Sequence, residues 1–170
     1  DQLAALQRTD GSLDLAYNTV NGDSARLFRT GTVAWVGLAA VIYKQETGSK
    51  DYDALANGAA KWILTQQGDD GLLRGGPDVK WVSTQNNIIA SQFLSQYTGV
   101  GQGTFRKQGK IIGETVTDKL LVNDDHFIQG VGDSVQPADV QALGALLLQQ
   151  QGAKEKDDKV LQTLIDNDRV

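Results

Sequence analysis

Residues Thr30 to Gln67 read TGTVAWVGLAAVIYKQETGSKDYDALANGAAKWILTQQ. Val33, Val36, Gly37, Ala40, Val41 and Tyr43 recur three and four apart. After a short Thr-Gly-Ser turn, Tyr52, Leu55, Ala59, Trp62, Ile63 and Leu64 do the same. That spacing marks a helix that buries one face. A turn this short leaves the two helices antiparallel neighbours, an αα-hairpin.

The same unit recurs along the chain. Helix starts are expected at Thr30, Ser83 and Gln136, spaced 53 and 53. The turns inside the hairpins carry Gly48, Gly99 and Gly152, each read as the left-handed residue that closes a helix. Gln2 to Gln7 align with the end of a second helix, level with Ile63 to Gln67. The second hairpin runs from about Ser83 to Leu121, with Ser83 or Thr84 as its N-cap. Ile88, Ile89, Phe93, Leu94 and Tyr97 form its first apolar face, answered by Phe105, Ile111, Ile112, Val116, Leu120 and Leu121. In the third, Gln136-Pro137 opens the helix. Val140, Leu143, Leu146 and Leu147 face inward, met by Val160, Leu161, Leu164 and Ile165. The fold class is therefore all-α: antiparallel hairpins, about three and a half of them, in one repeat domain over residues 1–170.

Turns within hairpins are short, whereas the loops between them (8–29, 68–82, 122–135) are long and rich in Gly and Asp. Each long loop joins a second helix to the next first helix, so all emerge at one end of the stack. Such a face is where repeat scaffolds place binding and chemistry.

Composition narrows the function classes. The chain has 170 residues, 40 % hydrophobic and 22 % charged, a net charge of −5 and scattered Lys and Arg. A phosphate-backbone partner, and so nucleic acid, is not expected. No apolar run is long enough to span a bilayer, so no membrane partner is expected either. Cysteine is absent, which removes disulfides, thiolate metal sites and a cysteine nucleophile. The chain begins without Met, in mid-pattern, and reads as a mature or excised segment. That leaves the compartment open, with an extracellular, secreted protein the favoured side.

Arg29 to Leu38 (RTGTVAWVGL), Trp62 to Gln67 (WILTQQ), and Arg74-Gly75-Gly76-Pro77 leading to Trp81-Val82-Ser83-Thr84-Gln85-Asn86-Asn87 carry a resemblance over most of the chain. It resembles the six-hairpin glycosidase-like α/α toroids. The resemblance implies a carbohydrate-related setting and an α/α toroid. Sequences of that look often carry Ser-Thr-Glu-His-Asn at the last motif. Here Gln85 stands for the Glu and Asn86 for the His, while Asn87 is kept, so the ionisable pair is lost at that spot. A toroid of that kind holds six hairpins. This chain is then part of a longer protein, or two copies complete a ring as a homodimer, or it forms an open arc.

Glycoside hydrolysis ordinarily needs two carboxyl groups flanking the bond. The loops offer Asp10, Asp14, Asp23, Asp69, Asp70, Asp78, Asp124, Asp125 and Asp133. Asp70 and Asp133 are the candidate catalytic pair, against the alternative that each serves turn chemistry. Trp81 with Arg74, Gln85 and Asn86 would make a sugar subsite, because indole stacks on the apolar face of a pyranose while polar groups meet its hydroxyls. The alternative for Trp81 is a core residue closing the top of the barrel. Trp35 and Tyr17 are further sugar-contact candidates, against core packing for Trp35 and loop packing for Tyr17. Trp62 is a packing residue. His126, the only histidine, follows Asp124-Asp125 and lacks a helix-spaced partner, which is a poor zinc signature. No metal or cofactor is expected: EF-hand spacing, a phosphate loop, a dinucleotide fingerprint and a Gly-x-Ser-x-Gly elbow are all missing. Two functions remain open. One is a glycoside hydrolase-like domain that holds an oligo- or polysaccharide on the long-loop face. The other is a non-catalytic helical repeat module that binds glycan or protein there.

Overall fold

A computed structural model describes residues 2–167. Its helices are α1 (Gln2–Leu6), α2 (Thr30–Thr47), α3 (Asp53–Leu64), α4 (Thr84–Gln96), α5 (Gln102–Leu120), α6 (Ala138–Gln150) and α7 (Lys154–Asn167). Helices α2, α4 and α6 pack side by side in chain order, and α3, α5 and α7 each pack on the inner helix that precedes them. The hairpin repeat is thus present, with α1 an outer helix that precedes the first complete hairpin. No helix among the described residues is long and apolar enough to cross a membrane.

The period is 54 residues rather than 53, since the inner helices start at Thr30, Thr84 and Ala138 (84 − 30 = 54; 138 − 84 = 54). Of the two N-caps expected for the second hairpin, Ser83 or Thr84, it is Ser83 that takes the place. Ser83 is the N-cap of α4, and its hydroxyl accepts from the Asn86 amide at 3.3 Å. Pro137 is the N-cap of α6, not a residue of its first turn. Gly48 and Gly152 close their helices in the left-handed region, at φ 71° and 75°. Gly99 does not. Helix α4 ends at an extended Tyr97, and the left-handed residue is Gly101, which opens α5 at φ 78°.

Two connected clusters form the core. One gathers α2, α3, α4 and the start of α5 around Val33, Ile63, Phe93 and Tyr97. The other gathers the end of α5, α6 and α7 around Val116, Phe127, Leu148 and Val160. Inner helices approach closely where one lacks a side chain: a Cβ on Gly37 of α2 would run into the Phe93 ring of α4. Trp62 is buried at 4 % exposure, as expected of a packing residue.

Several apolar residues expected inside are not. Tyr43 is 40 % exposed and Leu146 is 50 % exposed, while Leu161 and Ile165 also face solvent. Periodicity identifies the apolar stripes of a helix but not which of them has a neighbour. A short ribbon was also not foreseen. Leu121–Val122 (β1) pairs antiparallel with His126–Phe127 (β2), so Leu121 belongs to a strand rather than to the end of the second helix.

Candidate functional site

The long loops fold back over the starts of the inner helices, by the same bonds in successive repeats. The Thr30 amide donates to Gly75 O at 3.0 Å and its hydroxyl to Arg74 O at 2.5 Å. Fifty-four residues on, the Thr84 amide donates to Gln129 O at 2.9 Å and its hydroxyl to Ile128 O at 2.5 Å. Each helix N-terminus has free N–H groups and supplies an anchor for backbone carbonyls. The loops therefore gather at one end of the molecule, as their connectivity requires.

A buried side-chain amide fastens each of the second and third loops. Asn87, fully buried, accepts from the Leu73 amide at 2.7 Å and donates to Leu73 O at 3.0 Å and Ser83 O at 2.9 Å. Gln141 accepts from the Phe127 amide at 2.7 Å and donates to Phe127 O at 2.6 Å. Leu73 and Phe127 are also 54 apart, as are Asn87 and Gln141. These amides satisfy backbone groups that a sheet partner would otherwise have to meet. Their role is positional, and it accounts for an Asn at the end of the Ser83–Asn87 motif without any role for it in binding.

The same repeat explains the acidic loops. Asp10 accepts from the Ser12 amide at 2.9 Å and the Ser12 hydroxyl at 2.7 Å, ahead of left-handed Gly11. Asp70 accepts from the Leu72 amide at 3.1 Å, ahead of left-handed Gly71. These are Asx-turns, in which a short carboxylate caps its own chain reversal. In the third loop Asp124, itself left-handed, pairs with Lys156 at 2.8 Å.

Each candidate residue now has a place. Asp70 is bound to Arg74 Nη1 at 3.1 Å, and Lys119 donates to its backbone carbonyl at 2.8 Å. Partial burial tends to raise its pKa, but the bonds from Arg74 and the Leu72 amide, with the charges of Arg74 and Lys119, hold it below the ordinary carboxylate value. Asp133 accepts from the Val135 amide at 3.0 Å in another Asx-turn. Arg74 is turned into its own loop, with its guanidinium over Gly68.

Trp81, Gln85 and Asn86 gather around the start of α4. Trp81 Nε1 donates to Val131 O at 3.1 Å, so the indole ties the second loop to the third. The Val131 amide in turn donates to Val82 O at 3.1 Å. The ring lies over Gly130, where any side chain would meet it, and 41 % of Trp81 is exposed. It is neither buried core nor a loose surface residue. Gln85 Nε2 donates to Asp139 Oδ2 at 2.9 Å, which links the starts of α4 and α6. The Asn86 side chain packs against Gly31 at the start of α2. Beside them, Arg29 pairs with Asp78 at 2.8 Å.

Tyr17 and Trp35 lie elsewhere. Tyr17 lines a polar cavity of about 560 Å³ in the first loop, with Arg8, Asp14 and Arg26, and its hydroxyl accepts from the Asp14 amide at 3.0 Å. Asp14 is 4 % exposed and paired with Arg8 at 3.1 Å, while its Oδ1 is buried without a hydrogen-bond partner. Trp35 lines an apolar groove between α1 and α2. His126 Nδ1 lies 2.5 Å from Asp125 Oδ1, and no group of three potential metal ligands occurs among the described residues.

No family model matches this chain, and no curated protein matches its sequence.

Proposed function

We propose that the long-loop end of this domain binds an oligo- or polysaccharide, with Trp81 as the stacking platform and Gln85 and Asn86 as polar neighbours. The observation that carries the reading is the indole itself. It is held by a hydrogen bond and by the bare backbone of Gly130, yet stays 41 % exposed. A rigid, half-exposed aromatic gives contact area without the entropy cost of ordering a side chain on binding. Gln85 and Asn86 hold both donors and acceptors, the complement of a pyranose edge.

Binding is better supported than hydrolysis by Asp70 and Asp133. A general acid must be protonated at working pH, which requires a raised pKa. Asp70 is shifted the other way by Arg74 and its turn, and Asp133 is occupied by the Val135 amide. The reading is therefore a glycan-binding domain on a glycoside hydrolase-like hairpin scaffold, with the row of hairpins forming an arc of an α/α toroid. Retardation in gels that contain soluble glucans, xylans or mannans, run beside a reducing-sugar assay, tests it. The expected result is retardation by one of these glycans, its loss in Trp81→Ala, and no release of reducing ends. Equal mobility of wild type and Trp81→Ala in every glycan would overturn the binding role. Release of reducing ends that vanishes in both Asp70→Asn and Asp133→Asn would restore the hydrolytic one.

A further inference from the structure

The repeat allows the two ends of the inner-helix row to be compared with the joint inside it. Ile89 and Phe93 of α4 and Tyr97 at its C-cap are buried, with Phe93 against Gly37 of α2. Fifty-four residues earlier, the same stripe on α2 is Trp35, Ala39 and Tyr43. There it is open: Trp35 is 50 % and Tyr43 40 % exposed, and Ala39 is exposed between them. With Leu3 of α1 they line an apolar groove of about 800 Å³.

The other end of the row shows the complementary surface. Beside Gly37 on α2, whose counterpart on α6 (Ala145) is buried, lie Ala34, Leu38 and Val41, which are buried in the cluster that includes Ile89 and Phe93 of α4. Their counterparts on α6, 108 residues on, are Ala142, Leu146 and Gln149, and all three are exposed. Neither open stripe carries a charge. At the α2–α4 joint, the surface represented by α6's open stripe and the surface represented by α2's open stripe share one core cluster.

The outer helices carry the repeat as well. α1 aligns with α3 at an offset of 60: Gln7 Nε2 donates to Gly11 O at 3.1 Å, as Gln67 Nε2 does to Gly71 O at 2.9 Å. Gln2 is then level with Trp62.

The geometry points to a second copy of this chain as the occupant of the α1–α2 groove. It docks head to tail, with its Ala142–Leu146–Gln149 stripe on Trp35, Ala39 and Tyr43. The internal α2–α4 interface is the pattern this joint continues, and a joint of two different surfaces is heterologous. This inference is independent of the glycan reading.

Light scattering after size exclusion tests it, using wild type, Ala39→Arg and Leu146→Arg. The expected wild-type mass is two or more chains of 18.3 kDa. Each variant falls to a single chain with unchanged helical circular dichroism, because both substituted positions are exposed. An equimolar mixture of the variants regains a two-chain species, because the intact α6 stripe of Ala39→Arg meets the intact α2 stripe of Leu146→Arg. A monomeric wild type overturns the proposal. So does an oligomer that Leu146→Arg leaves intact, since that would be a symmetric contact through α2 alone.

Discussion

Replacing Asn87 with Ala removes one amide and strands two backbone groups. Leu73 is completely buried, and both its N–H and its C=O are met by the Asn87 side chain, at 2.7 and 3.0 Å. A buried polar group left unpaired costs about 1–3 kcal/mol, so the pair costs about 2–6 kcal/mol. With a urea dependence of about 2 kcal/mol per molar for a small domain, the unfolding midpoint falls by about 1–3 M. Gln141→Ala makes the same cut one repeat later, at Phe127, and should cost a similar amount. Exposed Gln150→Ala serves as the control and should stay within about 0.5 kcal/mol. Equilibrium urea unfolding followed by far-UV circular dichroism gives all three values. If Asn87→Ala matches the Gln150→Ala control, the loops are not fastened by buried amides and the reasoning fails.

Three other outcomes follow from the packing and charges. Gly37→Ala sets a methyl against the Phe93 ring and should destabilise by about 1–3 kcal/mol, read by thermal unfolding. Trp62→Ala empties a buried site and should cost about 3–5 kcal/mol in the same assay. The folded-state pKa of Asp70 is depressed, so its contribution is fully present above the ordinary value of 3.8 and is lost as pH falls through the lower folded value. Asp70 is more than a third exposed, so solvent screens the pair and Asp70→Asn should cost less than about 1 kcal/mol at pH 7. The melting difference between wild type and variant should shrink towards nothing below that pH window, and a difference that grows on acidification would contradict the assignment.

The hairpins were legible because helical periodicity and a short turn leave little choice of geometry. The period is one residue short in the sequence because its landmarks Ser83 and Gln136 stand one and two residues before their helices, whereas Thr30 is the first residue of its own. Trp35 shows a limit of a different kind. Its spacing is that of a core residue, and it would be one if an inner helix lay beside it, as α2 lies beside Ile89. The concentration of Asp on the loops resembled catalytic equipment, yet Asp10 and Asp70 make the same turn in successive repeats. The fastening amides were hidden because the position is held by Val33, Asn87 and Gln141 in turn, three residues with no shared letter. The two-residue strands are too short to show any alternation. Its place just before α4 marks Trp81 as a sugar-contact candidate in the sequence. What the sequence could not show was the Val131 bond and the Gly130 gap that hold its ring.

The central claim is that Trp81 presents a rigid sugar platform, and three tryptophans make it directly observable. A two-dimensional nitrogen–proton NMR titration resolves one indole signal for each, assigned by single Trp→Phe variants. Titration with the glycan that retards the protein should shift the Trp81 signal progressively. The signal of Trp62, buried in α3, and that of Trp35, on the α2 flank, should stay in place. A titration that moves Trp35 while leaving Trp81 unchanged, or moves none of the three, would contradict the account.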